Sequence, residues 1–196
     1  YRDDPCTRFK PHILDQNIYD VVDPGLVAKM HKAITVIQFK VEGQIIKRHP
    51  EYGLNHRCLL EHVDFDKGTV EVDGKTYPML DMKFPTIDPK DPLKLTEQEA
   101  ELLQTLKMSF RHSGLLHKHI KFLYSHGSMY KCCNNNLLYH GCIPLKNDGS
   151  FDDIVFYGIP YYGKALMDFV DQMVQSAYFL PESNPDKVVA SDFMWY

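Results

Sequence analysis

The 196-residue chain has no run of about 18 apolar residues and no secretory leader pattern, so neither a membrane span nor export is expected. It also lacks a long block of charge of one sign. Lys and Arg number 22 against 26 Asp and Glu, for a net charge of -4, and the basic cluster Lys47-Arg48-His49 is short. Nucleic acid is therefore not an expected partner. No internal repeat, low-complexity stretch or paired-cysteine spacing of the structural-zinc type occurs. Cysteines number five, an odd count that includes the adjacent pair Cys132-Cys133, and adjacent cysteines rarely bridge each other. A reducing, cytoplasmic compartment is the expectation. What is present, 44% hydrophobic and 24% charged residues, is globular material able to bury one core, with or without an appendage.

Local patterns predict an α+β chain with long helices. Asp23-Pro24 is a helix start, a cap oxygen followed by the residue that tolerates the first turn, and Val27, Met30, Ile34, Ile37, Val41 and Ile45 repeat at three and four up to about Lys47. His49-Pro50 closes that helix. Residues 59–80 read as a β-meander with turns at Asp66-Lys67-Gly68 and Asp73-Gly74. The three prolines between Phe84 and Pro92 predict a structured crossing loop, and Thr96 to Glu99 a capping box opening a second long helix. Ser113-Gly114 should interrupt it, with a further helix from Leu115 to near Gly127. A β-hairpin over about 128–142 crosses the Asn134-Asn135-Asn136 turn. Asp148-Gly149 marks a turn, Phe151 to Tyr157 a strand, Lys164 to Tyr178 an amphipathic helix, and Val188 to Tyr196 the start of another. The chain begins without methionine and stops on the apolar Phe193-Met194-Trp195-Tyr196, so a segment of a longer protein is expected.

Four groups of residues could carry chemistry. His140 stands between the apolar Leu137-Leu138-Tyr139 and Gly141, a rigid imidazole followed by a residue free to turn away beside an ion. One ligand does not make a site, and by itself His140 reads more simply as a structural histidine. Cys132, Cys133, His140 and Cys142 crowd one hairpin, but alternation lets only one of the adjacent cysteines join His140 and Cys142 on a face. Buried cysteines acting as small hydrophobes are the simpler reading. His112, His119 and His126 are spaced by seven with His117 alongside, yet the break at Ser113-Gly114 separates the first, and Leu116, Ile120 and Leu123 place His119 at the border of an apolar stripe. Lys47-Arg48-His49 could take a sugar phosphate, although cations at a helix C-terminus already interact favourably with its dipole.

Resemblance changes the weight on His140. Phe39-Lys40-Val41-Glu42-Gly43-Gln44-Ile45-Ile46-Lys47-Arg48, Phe84-Pro85-Thr86-Ile87-Asp88-Pro89-Lys90-Asp91-Pro92, Gly127-Ser128-Met129-Tyr130 and Leu137 to Pro144, in that order, resemble the bacterial class III fructose-1,6-bisphosphatases. The match runs from about Asp23 to the C-terminus. It implies a phosphomonoesterase of the calcineurin-like metallophosphatase superfamily that removes the 1-phosphate of fructose 1,6-bisphosphate in gluconeogenesis with manganese. In that superfamily a binuclear centre is drawn from an Asp-x-His pair, Gly-Asp-x-x-Asp, Gly-Asn-His, a lone His-Gly and Gly-His-x-His. His140-Gly141 matches the lone His-Gly and is the metal ligand the resemblance implies. Asn55-His56 lacks the preceding glycine, Ser125-His126-Gly127 has the wrong order, and the other motifs have no counterpart, so no catalytic residue is assigned within this chain.

The implied architecture is a piece of a metallophosphatase α/β sandwich over 128–196 plus a mainly helical insertion or cap over 1–127 that contains the meander. The insertion would cap the site, recognise sugar or build a homo-oligomer. The implied partners are fructose 1,6-bisphosphate and the remaining segments of a parent chain. Cys142 replaces a second glycine carried by the related protein Ser/Thr phosphatases, which weakens a protein-phosphatase reading. Two alternatives stay open: a metallophosphatase with another phosphoester substrate, and a non-enzymatic interaction or regulatory module.

Overall fold

The computed structural model describes residues 1–11 and 23–196 and is an α+β structure of long helices and small antiparallel sheets. The chain divides into two compact units, Tyr1–Met108 and Ser109–Tyr196.

In the first unit, helix α1 spans Pro24–Arg48, where the Asp23 carboxylate accepts the Gly25 amide at 2.8 Å and Pro24 occupies the first turn. Lys47 and Arg48 fill its last turn and His49 caps it, the favourable arrangement for cations at that pole. The face it buries is not the apolar repeat. Met30 and Ile34 are exposed, whereas Ala28, Lys32, Val36, Lys40, Gly43 and Ile46 are buried, with Ile37 shared by both rows. Two lysines stand in that row because each ammonium is fully partnered. Lys32 Nζ lies 2.5 Å from Asp4 Oδ2 and 2.7 Å from Asp81 Oδ2. Lys40 Nζ donates to Glu99 Oε2 at 2.8 Å and to the Thr86 carbonyl at 2.5 Å. Gln44 adds a bond to the Leu93 carbonyl at 2.7 Å. Through these three side chains α1 holds the whole crossing loop between Asp81 and Leu93, whose own turns leave many backbone acceptors to be satisfied. At Gly43 the end of the loop lies against the helix: an added Cβ would stand 2.5 Å from Leu93 Cδ2.

The meander forms as expected, from β1 (Val63–Asp64), β2 (Thr69–Val72) and β3 (Lys75–Pro78) in that order. Its second turn places Asp73 and Gly74 at φ 50° and 71°, the left-handed pair of a type I′ turn. The capping box also forms. Thr96 N donates to Glu99 Oε2 at 2.8 Å and Glu99 N to Thr96 Oγ1 at 3.2 Å, opening α2 (Glu97–His112). Glu99 thus caps a helix and neutralises Lys40 at once. Burial pushes its carboxyl up, but the Lys40 and Thr96 bonds outweigh that and leave it below the ordinary value.

In the second unit, Ser113 caps α3 (Gly114–His126), and Leu116, Ile120 and Tyr124 form its half-buried face; Leu123, expected there, is exposed. Strands β4 (Tyr130–Cys133) and β5 (Asn136–Tyr139) make one hairpin, β6 (Asp153–Phe156) and β7 (Ile159–Tyr162) another. The sequence pattern predicts only the first strand of the second hairpin, within Phe151 to Tyr157. Its turn, Tyr157-Gly158 at φ 48° and 77°, carries a tyrosine where the usual signal is Asn or Asp. Helix α4 (Gly163–Phe179) follows, then α5 (Pro185–Trp195), which starts three residues before the expected Val188 because Asn184 caps it ahead of Pro185. The core of this unit is aromatic. Phe156, Tyr161, Phe169 and Phe193 stack or meet edge to face with centroids 4.0–5.5 Å apart.

Candidate functional site

The hairpin β4–β5 determines where His140 stands. Asn134 and Asn135 sit at φ 50° and 60°, so the strands join through a two-residue type I′ turn. The register pairs Tyr130 with Tyr139, Lys131 with Leu138, Cys132 with Leu137 and Cys133 with Asn136. His140 therefore lies one residue beyond β5, at the open end of the hairpin, and the adjacent cysteines lie at the turn end. Strand alternation gives Cys133 the face of His140, four residues away along the ladder. Gly141 then turns the chain at φ +89°, with no atom within 4 Å of an added Cβ, so the backbone angle alone favours glycine there.

His140 is exposed, and among the described residues neither ring nitrogen has a hydrogen-bond partner. An exposed imidazole with both nitrogens free is the donor chemistry a divalent metal takes. A hydrolytic metal position needs three or more protein ligands, however, and among the described residues no group of three His, Cys, Asp or Glu stands close enough to hold an ion. Within this chain His140 fits as one contributor to a centre.

The other candidates separate. Cys132, Cys133 and Cys142 are free thiols and exposed, not buried as small hydrophobes; at the adjacent pair the described residues leave both sides of the hairpin's turn end open, with Leu137 and Leu138 exposed as well. The buried thiols are Cys6 and Cys58, and burial pushes both pKa values up, which leaves them unreactive. His117 Nε2 contacts the Arg111 carbonyl at 2.9 Å, and His126 stacks on Phe122 with its Nδ1 3.1 Å from the Phe122 carbonyl. His119 stands exposed on α3, and among the described residues the series forms no group able to hold a metal ion. Lys47 pairs with Glu61 at 2.7 Å and His49 with Glu51 at 2.9 Å, so the basic cluster is tied to acids of its own unit.

One contact near His140 gave no sign in the sequence. The Tyr130 hydroxyl donates to Asp168 Oδ1 at 3.0 Å, and Lys164 Nζ lies 2.5 Å from Asp168 Oδ2. The i,i+4 spacing of Lys164 and Asp168 is visible on a helix, but that a tyrosine 38 residues earlier joins them is a tertiary fact.

Comparison with known proteins addresses the whole chain. The family model described as Firmicute fructose-1,6-bisphosphatase matches residues 1–196. Proteins named fructose-1,6-bisphosphatase class 3 from Clostridium novyi, Clostridium tetani and Bacteroides fragilis are 46%, 49% and 46% identical to it. Each alignment covers 100% of this chain but only 29–30% of the relative. The chain thus spans about three tenths of the length of the curated relatives it matches. No solved structure matches it.

Proposed function

The chain belongs to the Firmicute fructose-1,6-bisphosphatase family, and from that membership we propose that the protein of which it is a segment hydrolyses the 1-phosphate of fructose 1,6-bisphosphate to give fructose 6-phosphate. The observation that carries the reading is the family match over residues 1–196 together with a free imidazole at the open end of an ordered hairpin. His140 holds one ion of a binuclear manganese centre whose other ligands come from the remaining segments of the parent chain. Bound there, the ions supply charge neutralisation for the phosphate oxygens and a water of lowered pKa.

This chain's own part is to position a donor. Strand β5 fixes the backbone up to Tyr139, and Gly141 turns it away, so the imidazole stands clear of its own chain with one nitrogen for the metal and the other for an acceptor that fixes the tautomer. Residues 128–196 are read as a piece of the metallophosphatase core and 1–127 as the helical insertion or cap. The reaction belongs to gluconeogenesis in the cytoplasm; among the described residues no helix is long and apolar enough to cross a membrane. With a single ligand, the segment alone is inactive.

The test is manganese-dependent phosphate release from fructose 1,6-bisphosphate by the parent protein, its His140→Ala variant and the isolated segment. Activity in the unmutated parent alone is the expected result. Near-normal activity and metal content in His140→Ala would remove the ligand role, and two Mn bound stoichiometrically by the segment would overturn its assignment as a contributor.

A further inference from the structure

The hairpin β4–β5 is tied to the body of its unit by few contacts. Among the described residues one side-chain hydrogen bond leaves it for another element, from the Tyr130 hydroxyl to Asp168 Oδ1 on α4, at 3.0 Å. The second oxygen of that carboxylate takes Lys164 Nζ at 2.5 Å, and the same ammonium lies 5.6 Å from the centroid of the Tyr130 ring. Each group in this triangle meets the other two. Lys164 and Tyr130 both hold the Asp168 carboxyl below its ordinary value, so it stays ionised and accepts from both.

Tyr130 is also the register partner of Tyr139, the residue immediately before His140. Paired residues share a face of a sheet, and alternation sends the next residue to the opposite face. The clamp therefore grips the hairpin through the Tyr130/Tyr139 side, at the open end where His140 stands, and leaves the His140 side outward. The turn end, with its two cysteines, has no such anchor among the described residues.

We infer that Tyr130, Asp168 and Lys164 form a clamp that sets the position of His140, making Tyr130 and Asp168 positioning residues for the metal ligand. The inference rests on the reading of His140 as a ligand. A donor displaced by even a fraction of an ångström loses metal affinity, and partners that orient ligands are worth about tenfold or more in binding.

The experiment is a titration of the parent protein with Mn²⁺ alone, with free Mn²⁺ followed by electron paramagnetic resonance, on the unmutated protein, Tyr130→Phe, Asp168→Asn, the double variant and His140→Ala, with Tm measured for each. Tyr130→Phe keeps the ring and its packing and removes only the hydroxyl. Each single variant should weaken one manganese site about tenfold and leave the other site and Tm unchanged. The double variant should be no weaker than the worse single, because the groups act as a unit. Loss of a site in His140→Ala with unchanged affinity in Tyr130→Phe and Asp168→Asn would overturn the clamp and spare the ligand reading. Additive losses, or a fall in Tm with unchanged affinity, would also overturn it by reducing these residues to ordinary stability contacts. Unchanged binding in His140→Ala would overturn the ligand reading and the clamp together.

Discussion

Replacing Lys32 with methionine keeps most of the side chain's volume and removes one charge from a place that water does not reach. The lysine is 0% exposed, and its ammonium stands between Asp4, also nearly buried, and Asp81, with the rings of Tyr1 and Phe84 at 5.8 and 5.3 Å. Asp4 Oδ1 meanwhile accepts the Cys6 amide at 2.9 Å, so this carboxylate is the buried attachment of the first ten residues to α1, beside the exposed bonds of Lys29 to the Arg2 carbonyl and His31 to the Phe9 carbonyl. Removing one partner of a buried pair strands the other, at a cost of about 3–5 kcal/mol. At the lower end, local opening of the segment becomes roughly a hundredfold more frequent. Hydrogen exchange of peptides covering residues 4–10 in the parent protein reads that opening, and the Cys6 amide reports it directly. The sign of the pH dependence follows from the two partners. The Lys32 hydrogen bond holds the Asp4 carboxyl at about 2, below its ordinary 3.8, so its contribution is present above 3.8 and is lost as pH falls through about 2. Burial pushes Lys32 down, but its bonds to Asp4 and Asp81 outweigh this and raise it above 10.5, so its contribution is present below 10.5 and is lost as pH rises through the raised value. Protection should therefore be flat from about pH 4 to 10.5 and fall on the acid side. In Lys32→Met the acid limb should shrink, because the largest influence lowering the Asp4 carboxyl is gone and only the Cys6 amide still opposes burial. Exchange within threefold of the unmutated protein, with the acid limb intact, would refute the assignment of Lys32 as the anchor.

The loop and its cap give two further expectations, both read by denaturation of the first unit's signal in the parent protein. Gly43→Ala gains about 1 kcal/mol of helix propensity, yet its Cβ meets Leu93 Cδ2 at 2.5 Å and Leu93 Cγ at 3.3 Å. Overpacking costs about 1–3 kcal/mol, so a net loss is expected, and Gly43→Ala combined with Leu93→Ala should cost less than the sum of the singles. Thr96→Ala removes a cap worth about 1 kcal/mol, whereas Glu99→Ala removes the cap and strands buried Lys40, about 3 kcal/mol or more. Equal losses from the two would mean that the Lys40–Glu99 pair contributes nothing beyond capping.

What the sequence made legible was local. Asp23-Pro24, Thr96 to Glu99, Ser113-Gly114, Asp73-Gly74 and the three asparagines each work through hydrogen bonds or backbone angles within four residues, and the structure uses each where the pattern placed it. Tyr157-Gly158 was missed because it uses a type I′ turn without Asn or Asp, and Asn184-Pro185 because the apolar run after it drew the helix start later. The larger difference lies on α1. An apolar repeat at three and four is ordinarily the buried face, but here Met30 and Ile34 stay exposed and Lys32 and Lys40 are buried. No window along the helix could reveal this, since the acids that make those lysines buriable are Asp4, Asp81 and Glu99, between 28 and 59 residues away.

The candidate site shows the same division between near and far. That His140 follows a strand and precedes a turning glycine was readable from five residues, as was the face it shares with only one of the adjacent cysteines. The contact of Tyr130 with Asp168 was not readable, because the two residues are 38 apart and meet only through folding. On the β4–β5 hairpin Leu137, Leu138 and Tyr139, beside His140, are exposed. A strand pair with apolar residues open on both faces is stable in water only when packed against further structure. On the proposed reading of His140 as a metal ligand, the covering that the hairpin needs for stability would also bring that residue its further ligands.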